Sequence, residues 1–131
     1  MKHFVPISEQ AERAAKIVVD AAYRVHSALG PGLLESVYEV CLCHKLKKRG
    51  ILFRSQLVLP IVYDNVTLDA GLRLDLLVDD CLVVELKAVE RMLPIHEAQL
   101  LTYLKLTNKR LGLLINFNVP LIKGGIRRIV L

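Results

Sequence analysis

Apolar and polar residues recur along this chain with two periods, and each change of period marks an element. From Ser8 onward, Ala14, Ile17, Val18, Ala21, Ala22, Val25 and Leu29 follow helical spacing. Ser8 reads as the N-cap, with Glu9 and Glu12 near the positive end of the helix. Gly30-Pro31-Gly32 ends it sharply. A second helix is expected from about Leu33 to Arg49, with Gly50 as its stop. Leu52 to Tyr63 then reads as a strand, which Pro60 places near an edge or a strand end. Asp64-Asn65 is a turn, Val66 to Val78 a second strand with Gly71 at a bulge, and Cys81 to Ala88 a third. Pro94 opens a third helix, roughly Ile95 to Asn108. Leu111 to Phe117 is a fourth strand, and Gly124-Gly125 turns into a short last one, Ile126 to Leu131.

This order predicts an antiparallel meander followed by a strand–helix–strand crossover. The expected fold class is α/β (α+β), a mixed sheet of about four to five strands flanked by helices. A length of 131 residues fits one domain, 1–131, and 53% hydrophobic residues supply a core without disulfide staples. Three cysteines without framework spacing point to a reducing, cytoplasmic setting. Cys41-Leu42-Cys43-His44 is not a zinc spacing, because on a helix the two thiols point to different sides and no second ligand cluster follows. No apolar signal core opens the sequence, and no uncharged apolar run reaches the roughly 20 residues of a membrane span.

A net charge of +5 favours a polyanionic partner without establishing one. With no Trp and 5% aromatics, base stacking cannot dominate such contacts. The run Lys45, Lys47, Lys48, Arg49 suits the negative end of the second helix, and a phosphate-contacting patch is the sharper alternative.

The chemistry concentrates in Leu74-Asp75-Leu76-Leu77-Val78-Asp79-Asp80-Cys81-Leu82-Val83-Val84-Glu85-Leu86-Lys87, two apolar strands around an acidic turn. Side chains alternate along a strand, so Glu85 and Lys87 share a face that Val84 and Leu86 do not. A three-residue loop, Asp79-Asp80-Cys81, would set Asp75 opposite Glu85, with Cβ atoms roughly 4.5–5.5 Å apart. Two such carboxylates repel and resist burial unless a cation lies between them. Oxygen donors in so small a number suit Mg2+ or Mn2+, with other positions left to water and a substrate phosphate. A solvated face with a Glu85–Lys87 ion pair is the plainer account of the same charges. On the third helix His96, Gln99 and Tyr103 form a polar line at i, i+3 and i+7, and on the second Glu35 and Tyr38 share a face. Each has an ordinary structural explanation alone; together they outline the rim of one cleft.

Gly32-Leu33-Leu34-Glu35-Ser36-Val37-Tyr38 matches the GxxExxY signature. Gly71 to Leu77, Val83 to Ala88, His96 to Leu104 and Leu111 to Phe117 resemble the same family in the same order, from about Ala11 onward. That family is placed in the PD-(D/E)XK nuclease superfamily. The resemblance implies a restriction-endonuclease-like core, with the first helix, 8–29, outside its minimal form. It implies that Asp75 and Glu85 bind the metal and that Glu35 completes the metal or water shell. Lys87 would orient the attacking water and offset charge at the phosphorus; a protonated ammonium is a poor obligate base. Gln99 and Tyr103 resemble a QxxxY motif that supports the active site and the DNA end, with Tyr38 and His96 as further support. Leu74 stands where the superfamily has a proline.

The expectation is therefore an Mg2+- or Mn2+-dependent nuclease acting on nucleic acid, DNA first, in repair, recombination or defence. Lys105, Lys109, Arg110, Arg127 and Arg128 are candidate phosphate contacts. So small a core has little room for base reading, so recognition would come from a homodimer or a partner, and two sites across a branched junction is one form of this. The apolar first helix could form the dimer surface or cover the sheet. A binding module on the same fold with little turnover is the alternative. An ion-paired structural domain, with no metal affinity, is the third.

Overall fold

Ser8 caps the first helix as its position predicts, its Oγ accepting the Ala11 N–H at 3.1 Å. The structure is a computed structural model that describes residues 5–131. Its elements are α1 (Glu9–Leu29), α2 (Glu35–Lys48), β1 (Phe53–Tyr63), β2 (Val66–Val78), β3 (Leu82–Lys87), α3 (Pro94–Thr107), β4 (Leu111–Asn116) and β5 (Ile126–Val130). A short 3-10 turn, Ile122–Gly125, leads into β5.

The strands form one five-stranded sheet in the order β1-β2-β3-β4-β5. All neighbours are antiparallel except β3 and β4, which run parallel because α3 carries the chain back between them. This is the mixed α+β sheet that the period changes predict. Period two divides β3 cleanly. Val84 and Leu86 pack with Val18, Ala22 and Tyr38 on the α1/α2 side, while Val83 packs with Leu100 and Leu104 of α3. Glu85 and Lys87 share the parity of Val83 and so point toward α3.

The apolar face of α1 is given to the sheet. It buries Ala11, Ala14, Ala15, Val18, Ala21, Ala22 and Val25, small side chains that let the helix lie close. Leu29, expected on that stripe, is exposed, because the buried face follows the alanines and the last turn carries it away from the sheet. His26 is buried instead, its Nε2–H donating to the Val119 carbonyl at 2.8 Å.

Pro60 has no N–H for a ladder, and the β1–β2 register breaks there. The pairs Leu59↔Leu72 and Ile61↔Leu68 leave Asp69-Ala70-Gly71 opposite Pro60, with Gly71 at φ 75 absorbing the bulge. The hairpin beyond it closes through Asp64-Asn65, both at positive φ, and is exposed along most of its length.

Side chains fasten the loop that starts α2. The Tyr38 ring stacks on Phe117 with centroids 4.5 Å apart, and its hydroxyl donates to the Gly30 carbonyl at 2.6 Å while accepting the Leu33 N–H at 3.2 Å. Asn118 Oδ1 accepts the Gly32 N–H at 3.1 Å. The first turn of α2 is thereby fixed beside the end of β4. Gly125 is needed for a close approach, since a Cβ there would run into the Asn116 carbonyl oxygen. Gly125→Ala is expected to destabilise the protein by about 1–3 kcal/mol. A urea midpoint equal to the wild type's would contradict that packing.

Candidate active site

The β2–β3 hairpin closes through Asp79-Asp80-Cys81 as expected, with Val78↔Leu82, Leu77↔Val83 and Leu76↔Val84 paired. The next step in this register is Asp75 opposite Glu85. The backbone ladder stops there, and side chains take over its hydrogen bonds. The Asp75 N–H donates to Glu85 Oε1 at 3.0 Å, and the Leu86 N–H donates to Asp75 Oδ2 at 2.8 Å. Each carboxylate thus occupies an amide of the other's strand, which locks both in orientation.

Glu85 is buried, at 4% exposure, with Asp75 half-buried beside it. Burial, followed by the negative charge of Asp75, pushes the Glu85 carboxyl up to about 9; the Asp75 amide and the Lys87 ammonium oppose this. Without a cation, Glu85 is therefore protonated at neutral pH. Glu35, exposed at the start of α2, faces the same cleft: desolvation, Asp75 and Glu39 raise its pKa while Lys87 lowers it.

Lys87 is held from α3. Its Nζ donates to Gln99 Oε1 at 3.1 Å, and Gln99 Nε2 donates to the Tyr103 hydroxyl at 3.0 Å. One helical turn separates Gln99 from Tyr103, which lets one side chain orient the other. The buried Tyr103 hydroxyl has its pKa raised by desolvation and then by the charge of Glu85.

Not every expected residue joins this group. His96 Nδ1 accepts the Leu93 N–H at 3.0 Å and so caps α3. Tyr38 is fully buried and acts only through the loop that carries Glu35. Among the described residues no three His, Cys, Asp or Glu side chains converge closely enough to hold an ion by themselves. Glu35 is coupled to the strand pair through charge, since Asp75 raises its carboxyl and Lys87 lowers it. The strand pair itself fits Mg2+ or Mn2+: oxygen-only donors, two carboxylates, and a solvent-facing side for water.

The basic residues also divide. Arg110 holds the Val5 and Pro6 carbonyls at 2.7 and 3.2 Å and that of Leu131 at 3.1 Å. Lys109 lies 3.7 Å from Asp80 at the hairpin turn. Both flank Leu111, which pairs with Leu82, whereas Lys87 pairs with Asn116 at the far end of β3. The row of Asp75 and Glu85 pairs with Leu114, three strand steps, roughly 10 Å, from Leu111. Lys109 and Arg110 thus sit toward the hairpin end of β3, each engaged with groups of the protein itself. Arg128 pairs with Glu12 at 2.6 Å on the α1 side. Arg127 pairs with Glu97 at 3.0 Å, in the row Glu85↔Leu114↔Arg127. Lys105 is exposed on α3.

Three residues of the site were not anticipated. Glu39 lies one turn after Glu35, a spacing that places both on one helix face. Its carboxyl is raised by desolvation and by Asp75, against a hydrogen bond from Gln56. Asn116, buried at the end of an apolar run, donates to the Val89 carbonyl at 2.9 Å and accepts the Val89 and Asn118 N–H groups at 3.0 and 3.1 Å. It pins the chain just beyond Lys87. A polar residue closing an apolar strand was the available signal. Gln56 of β1 carried none.

Residues 12–129 match the family model of the PD-(D/E)XK nuclease superfamily. The chain belongs to that superfamily. No curated protein and no solved structure matches it. Membership implies nucleic-acid binding, and no helix among the described residues is long and apolar enough to cross a membrane.

A carboxyl raised by folding stabilises the fold only while protonated. The contribution of Glu85 is full below the ordinary value of 4.5 and is lost as pH rises through about 9. The metal-free protein should therefore lose stability across that window, and Glu85→Gln should flatten the loss. Melting temperatures recorded against pH in EDTA check this; parallel curves for the two proteins would refute it.

Proposed function

We propose that this protein is a metal-dependent nuclease that hydrolyses phosphodiester bonds, with DNA as its substrate, in repair, recombination or defence. The observation that carries the reading is the convergence of Asp75, Glu85 and a Lys87 whose ammonium is oriented by Gln99 and Tyr103. Bound at the two carboxylates, Mg2+ or Mn2+ would supply Lewis acidity to the scissile phosphate and acidity to a water.

The chain's own residues do the rest. Asp75 and Glu85 present fixed oxygens, because their backbone hydrogen bonds leave little rotational freedom. Lys87 places a positive charge where negative charge grows on the phosphate oxygens, the kind of preorganised stabilisation that contributes most in a partly desolvated site. Gln99 keeps that ammonium from swinging to Glu85. Glu35 faces the cleft as a candidate proton acceptor for a water there, its carboxyl raised above its ordinary value by desolvation and then by Asp75. The rim is open, with Glu35 and Gln56 exposed, which suits a polymer better than an enclosed small molecule. Arg127, in the row of Glu85 and Leu114, is the candidate to meet a flanking phosphate, with exposed Lys105 a further basic side chain on α3; the Arg127–Glu97 pair is partly exposed and contributes about 0–1 kcal/mol at most, so a phosphate can displace it.

Cleavage of labelled single-stranded, duplex and branched DNA tests this. Cutting is expected with Mg2+ or Mn2+ and not with EDTA. Asp75→Asn and Lys87→Ala should each lower the rate by about 100-fold or more with thermal unfolding retained. Binding of DNA without metal-dependent cutting on any substrate would replace the nuclease with a binding module on the same fold.

A further inference from the structure

Gln56 sits in the middle of β1 with φ 52, in the left-handed region. Among the described residues, the other non-glycine positions with positive φ are Asp64, Asn65, Asp79, Asp80 and Asn108. Those are Asp and Asn in turns or at a helix end, the residue types and places that tolerate this conformation. Gln56 is neither type, and it interrupts a strand. Ser55 pairs with Leu76 and Leu57 with Leu74, so Gln56 occupies the position opposite Asp75. A strained backbone held in a regular element, beside the group that carries the chemistry, points to a functional constraint.

The side chain shows what the strain achieves. Gln56 Nε2 donates to Glu39 Oε1 at 2.6 Å and lies 3.4 Å from Asp75 Oδ1. The other Asp75 oxygen accepts the Leu86 N–H of β3 at 2.8 Å. Asp75 is thus bracketed between its two neighbouring strands, by a side-chain amide on one side and a backbone amide on the other. The same amide stands between two carboxylates, from α2 and from β2, that would otherwise repel.

We propose that Gln56 is a positioning residue of this site: its amide fixes Asp75 in the orientation in which the Asp75–Glu85 pair receives a divalent cation, and tethers Glu39 at the mouth of the cleft. The inference rests on the nuclease reading of the site and adds a residue to it. Gln56→Gly separates backbone from side chain, because glycine adopts φ 52 without strain but has no amide. Gln56→Asn tolerates the same backbone and returns an amide on a shorter stem.

The experiment is calorimetric titration of the full chain with Mn2+, for wild type, Gln56→Gly, Gln56→Asn and Asp75→Asn, with melting temperature and cleavage kinetics on the same samples. Gln56→Gly is expected to melt at or above the wild type, yet to bind Mn2+ about 10- to 100-fold more weakly. Its kcat should fall with little change in KM, and Gln56→Asn should recover part of both losses. Wild-type Mn2+ affinity and kcat in Gln56→Gly would overturn the inference while leaving the nuclease intact. Equal losses in both variants, with both melting lower, would overturn it in favour of a purely structural strand position. Absence of Asp75-dependent Mn2+ binding in the wild type would overturn the metal site and this inference together.

Discussion

Two acidic side chains placed side by side in a sheet interior are the constraint around which this fold is arranged. Asp75 and Glu85 meet because the β2–β3 register, set by a three-residue loop, leaves no other pairing for them. The chain accepts this by letting each carboxylate bond the amide of the other's strand, so the ladder ends in side-chain hydrogen bonds. What remains is electrostatic: burial and mutual repulsion keep Glu85 protonated in the absence of a cation. A divalent ion is the general remedy for such a pair, and the donor set suits one. Stability without ligand and readiness for a ligand are in this sense opposed at one position.

The other elements act on this pair from three directions. From α3, Tyr103 and Gln99 aim Lys87, whose charge lies close enough to ease the Glu85 ionisation without pairing directly with it. From α2, Glu35 and Glu39 add carboxylates at the mouth of the cleft. From the end of β4, Asn116 fixes the segment after Lys87, and Phe117 supports Tyr38 and with it the turn that starts α2. Much of the hydrogen bonding in this half of the molecule therefore serves orientation. The opposite end, where Arg110 gathers both ends of the described chain, is structural. The net positive charge of the sequence overstates its free basic surface, because Lys109, Arg110, Arg127 and Arg128 all meet groups of the protein itself.

What the sequence determined by itself was the set of elements and their order. Helical and strand periods, with Ser8, Pro94 and the glycine-rich breaks as punctuation, place every helix and strand to within about two residues. The same alternation brought Asp75, Glu85 and Lys87 to one face, since period two and loop length are local properties. Gln99 and Tyr103 were legible because their spacing puts them on one helix face. What only the tertiary structure decided depends on contacts distant in sequence. That His96 caps a helix and Tyr38 is buried, that Arg110 reaches the Val5 carbonyl, and that Leu29 leaves the core follow from packing. Gln56 is the clearest case: its left-handed backbone, and the carboxylates its amide joins, arise from the meeting of β1, β2 and α2, and residue type alone carries no mark of such a meeting.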